Sequence, residues 1–307
     1  MTRSVAIEKL QNFFLMPASP RPLAVLRIGL ALILIVQAFL LRNFVLDFFS
    51  QDGIIQGDLA NYFISPYTPR LSWLVNALSP FNVNETACIY GTCSVYGMSL
   101  IFLGTGLFTR TASLVTWFLH WTLINTSRTT SYGVDLYAHV FLFYLIWIPA
   151  GNAFSLDVAL GYRSDEATSE ARLGLRIIQL HLCISYFLSG LEKARGDQWW
   201  NGELLWRALS LPVYHQFDMS WLAFWPLLSK LGGWTTLFFE IGYCLFIWPK
   251  FTRRIWIAGI VFLHLGIAVL LGLDLFGGIM CLLTLAAFGV PTKVSEVRKP
   301  MLCPVQS

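Results

Sequence analysis

A chain of 307 residues that is 56% hydrophobic and only 12% charged is not an ordinary soluble domain, where about a quarter of residues carry charge. Its mean hydropathy of +0.62 makes the lipid bilayer the expected partner, and at roughly 20 apolar residues per span the length holds roughly seven to nine helices and no soluble domain. The net charge of +4 is small and dispersed, which gives no footing for nucleic acid.

Residues 1–22 open with Arg3, Glu8 and Lys9 among Phe13, Phe14 and Leu15 and lack a small-residue cleavage site, so they predict an interfacial segment rather than a signal peptide. Apolar runs follow at Leu23–Leu41, Thr86–Phe108, Thr111–Ile124, Val134–Ala150, Leu173–Leu191, Gly232–Trp248, Ile255–Leu273 and Leu275–Val290. They predict an all-α polytopic transmembrane bundle of about eight spans over residues 23–290, with a cytoplasmic tail over 291–307. Trp221–Leu231 offers a ninth, partial helix. The connections Arg42–Glu85 and Lys193–Leu231 are long and aromatic, as at a membrane–water interface. Helix alternation puts both on one side.

Lysines and arginines choose the side. Twelve fall on the short-connection side (Arg3, Lys9, Arg21, Arg110, Arg163, Arg172, Lys250, Arg253, Arg254, Lys293, Arg298, Lys299) and seven on the other. The short connections and both termini are therefore expected in the cytoplasm, in the cell membrane if the source is bacterial. Asn84-Glu85-Thr86 would be a glycosylation acceptor in a eukaryote. Cys88, Cys93, Cys183, Cys244, Cys281 and Cys303 show no CxxC and no zinc spacing, and most read as small hydrophobes. Cys88 and Cys93 fall on different faces of one helix, so a bridge between them needs a frayed end.

Ionisable groups at membrane depth mark the candidate site. Arg27 lies one turn inside the first span, where it either snorkels to the headgroups or joins a buried polar network. Glu240 lies about 12 Å deep, beyond reach of water, and needs a partner. His264 sits mid-run and can bridge helices by a hydrogen bond. Asp135 and His139, one turn apart, form either an acid–base couple or two metal ligands, or Asp135 simply serves its helix N-terminus. The chain has too few histidines for a membrane iron site, so no metal is expected. The densest constellation runs from Gln179 to Lys193. Gln179, Tyr186, Gly190 and Lys193 fall within about 60° on a helix, beside a stripe of His181, Ser185, Ser189 and Glu192. Such a face lines a cavity or packs on other polar helices. Gly190 admits a close neighbour, and Lys193 is either an interface anchor or a functional amine, with Trp199 just beyond it.

Several segments, in order, resemble the HTTM (horizontally transferred transmembrane) domain, which is related to the membrane core of vitamin K-dependent gamma-carboxylase. They are Leu23-Ala24-Val25-Leu26-Arg27-Ile28-Gly29, Gly133-Val134-Asp135, Ile148-Pro149-Ala150-Gly151, Ser155-Leu156-Asp157, and Tyr186 to Lys193 with a following Trp and Gly202. Glu240-Ile241-Gly242 and His264 ahead of Asp274-Leu275-Phe276-Gly277 complete the set. The resemblance implies that Lys193 is an amine base that deprotonates a reduced quinone (vitamin K-like), for which it must be uncharged. Asp135 and His264 are further catalytic candidates. The chain has Val134 and Asp135 near where the carboxylase has a helper histidine, and it lacks the large propeptide-binding region. The expected function is thus a carboxylase-related membrane enzyme acting on a small lipophilic molecule or an exported peptide in an outward-facing cavity. The alternatives are a non-catalytic maturation partner for an exported peptide, or a transporter, against which the lack of repeats and paired broken helices speaks.

Overall fold

Helix ends fall where proline, glycine or a capping side chain interrupts the apolar runs. In the computed structural model, which describes residues 2–54, 65, 67–128, 130–214 and 216–292, an N-terminal helix α1 (Thr2–Leu15) precedes eight helices that hold the apolar runs. These are α2 (Arg21–Leu41), α3 (Glu85–Thr105), α4 (Thr109–Thr126), α5 (Gly133–Trp147), α6 (Ser169–Ala194), α7 (Pro226–Phe246), α8 (Lys250–Leu271) and α9 (Asp274–Thr284), the last running into a π-turn at Leu285–Gly289. Each of the eight apolar runs falls largely within one of them. Among the described residues there is no strand, only the bridge between Ala18 and Thr168. His215 and Cys303 lie outside the described residues, as do most of the tail and part of the first long connection.

Local chemistry explains where the ends differ from the run boundaries. Asn84 and Thr168 cap α3 and α6, accepting from Ala87 N at 2.7 Å and Ala171 N at 3.0 Å. α5 stops at Trp147 because Pro149 disfavours a helical residue before it. The segment expected to hide a ninth helix is instead a 3-10 turn (Ser220–Phe224) followed by Pro226 at the first position of α7. Cys88 and Cys93 are free.

α2 is the hub, touching α3, α5, α6 and α9. Its inward residues Leu23, Leu26, Leu30 and Leu34 join Leu100, Leu103, Phe141, Leu142 and Leu182 in one apolar core. The outward faces stay apolar: Leu32, Val36 and Phe39 on α2 and Phe262, Leu265 and Val269 on α8 are exposed. Water would not tolerate such surfaces, whereas lipid does. α2, α3, α6 and α8 are long and apolar enough to cross a membrane.

The two ends of the bundle are built differently. At the short-connection end, Ala18 pairs with Thr168, and Ser19 N donates to Thr292 O at 3.1 Å. A polar knot forms there around Arg27. This side chain does not snorkel to the headgroups. It is fully buried and donates to Phe154 O at 2.5 Å and Thr109 Oγ1 at 3.5 Å. Asp157 stands close by and accepts from Phe108 N, Thr109 N and Thr109 Oγ1 at 2.7–2.9 Å. Snorkelling is disfavoured because the guanidinium finds these acceptors inside the protein, where a buried charge requires them. Gly106 turns the chain between α3 and α4 at φ +71°, and a Cβ there would strike the Arg27 guanidinium.

Candidate functional site

At the long-connection end, α6 packs tightly on α7. A Cβ on Gly190 would stand 2.8 Å from Ile241 Cγ1 and 3.0 Å from Ile241 N, so only glycine permits the approach. That approach sets Lys193 against Glu240. The Lys193 ammonium pairs with Glu240 Oε1 and donates to Ser189 Oγ at 3.1 Å. It also lies 5.3 Å from the centroid of the Trp199 ring, within cation–π reach. The two partners are unequally sheltered: the Lys193 side chain is 27% exposed and that of Glu240 only 4%. Among the described residues, the buried Glu240 Oε2 has no hydrogen-bond partner. Glu192, next to Lys193 in sequence, points away and pairs with Arg195 at 3.0 Å in the open.

Below the ion pair, the buried Tyr186 hydroxyl meets His264 Nε2 at 2.9 Å. The Tyr186 ring lies 4.3 Å from that of Tyr243, whose hydroxyl donates to Thr284 Oγ1 at 3.4 Å. His264 Nδ1 has no partner among the described residues. Tyr137 of α5 approaches Ser185 and lies within electrostatic reach of Glu240. Further down α6, Gln179 donates to Ala287 O at 2.6 Å and accepts from Arg176 at 2.7 Å. The face from Gln179 through Tyr186 and Gly190 to Lys193 therefore turns inward.

Asp135 does not join this group. Its Oδ2 accepts from Tyr132 N at 2.9 Å, closing the first turn of α5, and its Oδ1 accepts from Gln37 Nε2 at 2.7 Å. Its carbonyl meets His120 Nε2 at 3.1 Å, while His120 Nδ1 meets the Tyr96 hydroxyl at 3.0 Å. These groups wall one side of a cavity of about 300 Å³ whose other walls are mostly apolar, among them Leu34, Val45, Phe49 and Leu275, with Ser127, Thr130 and Ser131 also lining it. Tyr132, just ahead of α5, has its phenol held above its ordinary range, chiefly by burial and then by Asp135 and Asp274. His139 does not bond Asp135. It stacks on Trp117 and Trp121, with centroids at 5.5 and 6.0 Å. Phe276 packs against Tyr137 at 6.4 Å and His264 at 5.8 Å.

Sequence reasoning singled out Lys193, Ser189, Glu240, Tyr186 and His264, which the fold brings together. It missed Tyr243, Thr284, Gln37 and Tyr96. Gln37 carried a legible signal, a polar side chain inside an otherwise apolar run. Tyr243 stood three residues beyond Glu240, close to its face of the helix.

Comparison with curated proteins and with solved structures returned no match. A family comparison matched the HTTM domain over residues 15–291, which takes in every element from α2 to α9 and both polar groups. The chain is an integral membrane protein that belongs to the HTTM domain family.

Proposed function

We propose that the protein is a membrane enzyme that removes a proton from a weakly acidic, lipid-soluble substrate, with the Lys193 amine as the base and Glu240 as the group that frees it. The observation that carries this reading is the Lys193–Glu240 pair, one partner part-exposed and the other sheltered. In a site of low polarity, moving one proton from the Lys193 ammonium to the carboxylate leaves a neutral amine beside a carboxylic acid and removes two buried charges. The amine then takes the substrate proton, and the new ammonium stands opposite the substrate anion. Ser189 Oγ orients Nζ, and the Trp199 ring favours the cationic product.

A reduced quinone fits as the substrate class. Its ring suits the Trp199 side, and the unpartnered Glu240 Oε2 can accept from a phenolic hydroxyl. Such a quinone would supply the acidic hydroxyl and, after oxidation by oxygen, the driving force for later chemistry. In the same reading all eight apolar runs cross the bilayer between residues 23 and 290. Residues 1–22 lie at the interface, the tail and both termini are cytoplasmic, and the Lys193 end faces outward. The excess of Lys and Arg at the other end supports this orientation.

The test is oxygen-dependent oxidation of a reduced naphthoquinone by the purified protein in nanodiscs. Lys193→Arg keeps the charge but cannot give up its proton. It and Lys193→Met should lose activity by about a hundredfold or more, and Lys193→Met should regain part of it with a small exogenous amine. Correctly folded variants that oxidise the quinone as fast as the wild type would overturn the proposal and return Lys193 to an anchoring role.

A further inference from the structure

At the short-connection end, α1 packs along α6, and three guanidinium groups gather at the seam: Arg172 and Arg176 of α6 and Arg253 of α8. All three are held by main-chain carbonyls. Arg172 Nε donates to Met16 O at 2.7 Å and Arg176 Nε to Phe13 O at 3.0 Å. Arg253 donates from Nε to Ile247 O at 3.1 Å and from Nη2 to Trp248 O at 2.5 Å. Phe13 and Trp248 flank the Arg176 guanidinium at 4.0 and 5.3 Å from the ring centroids.

Among the described residues, none of the three arginines has a carboxylate within ion-pair distance. Glu170, the nearest acid on α6, lines a cleft with Arg110 and Arg163 instead. Carbonyl dipoles orient guanidinium groups but do not cancel three like charges held together beside lipid. An anion would. Donors for it remain, because among the described residues both Nη of Arg172, Nη2 of Arg176 and Nη1 of Arg253 carry no hydrogen bond.

The surroundings identify the anion. Arg176 lies about 10 Å along α6 from its first residue, a depth close to the boundary between headgroups and acyl chains. α1 exposes Val5, Ile7, Leu10 and Leu15, and Met16 follows exposed, an apolar surface that a soluble anion would leave bare. We propose that one anionic phospholipid binds in this seam. Its phosphodiester bridges Arg172, Arg176 and Arg253, and its acyl chains lie against α1. Guanidinium groups suit this role because their paired N–H donors match two phosphate oxygens. The bound lipid would fasten α1 to α6 and α8. This site is independent of Lys193, at the opposite end of the bundle.

Native mass spectrometry of the full chain, released from micelles holding equal phosphatidylglycerol and phosphatidylcholine, tests the proposal. The wild type should retain one phosphatidylglycerol and little phosphatidylcholine. Arg172→Gln with Arg253→Gln should lower retention by about tenfold or more, while Lys250→Gln with Arg254→Gln, which removes exposed charges from the same end, should leave it unchanged. Should the double variant aggregate, Arg253→Gln alone decides, because that side chain donates only to two carbonyls of the short α7–α8 turn just ahead of its own helix. Equal retention of both lipids, retention indifferent to the Arg253 change, or heat protection by inorganic phosphate matching that by phosphatidylglycerol would each overturn it.

Discussion

The unequal burial of Lys193 and Glu240 predicts an asymmetric response to removing either one. Lys193→Met leaves a carboxylate whose side chain is 4% exposed, with Oε2 already unpartnered and Oε1 now bare. Breaking a buried pair from one side costs about 3–5 kcal/mol, and the 27% exposure of Lys193 places this pair near the lower end, about 3 kcal/mol. Glu240→Gln leaves an ammonium that keeps Ser189 Oγ, can reach water, and still finds an amide oxygen near Nζ. Its cost should be about 1 kcal/mol. The double variant removes both charges and should be no worse than Lys193→Met, so that the cycle returns a coupling of at least about 1 kcal/mol. The assay is unfolding of the purified protein in mixed micelles by a denaturing detergent, followed by tryptophan fluorescence and by retention on size exclusion. Lys193→Met costing no more than Glu240→Gln, or single costs that add to within about 0.5 kcal/mol in the double variant, would refute the buried pair.

Two further outcomes bear on the Arg27 knot. Gly106→Ala and Gly161→Ala both force alanine to a positive φ, a strain of about 1–2 kcal/mol, but the new Cβ meets the Arg27 guanidinium at 106 and open space at 161. The same unfolding assay should find Gly106→Ala worse by a further 1–3 kcal/mol or so, and equal losses would contradict the described packing. Arg27→Lys keeps the charge but cannot reach Phe154 O and Thr109 Oγ1 together. It should cost about 1.5–3 kcal/mol, and an unchanged unfolding midpoint would mean that the shape of the guanidinium is irrelevant there.

The helices were legible in the sequence because hydropathy is a local property, and every apolar run became a helix. Their ends were less so. Pro226 started α7 earlier than its apolar run, and Gly106 closed α3 earlier, through backbone preferences that a hydropathy window averages away. The depth of Glu240 showed that it needed a partner, but its separation of 47 residues from Lys193 hid which one. The capping role of Asp135 was local and readable, whereas its contact with Gln37 spans 98 residues and was not. Arg27 misled for the same reason. A charged residue one turn inside a span has a lipid-side escape by snorkelling, and only the fold brings Phe154, 127 residues away, to offer something better.

The two ends of the bundle differ in how fully their buried carboxylates are used, and that difference supports our placing the proposed chemistry at the Lys193 end. Around Arg27, the Asp157 carboxylate has both oxygens bonded, one to Phe108 N and the other to Thr109 N and Oγ1, and the guanidinium is fully buried, with only its Nε lacking a partner among the described residues. Such a knot fixes the α3–α4 turn to the segment before α6 and has no acceptor left for a substrate. Asp135 is similar, with one oxygen on Tyr132 N and the other on Gln37, so in our reading it holds the end of α5 in place and is not a base. Near Lys193 the situation is reversed. Glu240 Oε2 and His264 Nδ1 are unpartnered, and the lysine between water and carboxylate is part-exposed. Buried polar groups left without partners destabilise a fold, and a site of proton transfer is where that cost has a use. The unpartnered atoms of both Glu240 and His264, one beneath the other along the α6–α7–α8 seam, are what supports our proposal that the Lys193 end acts on a substrate.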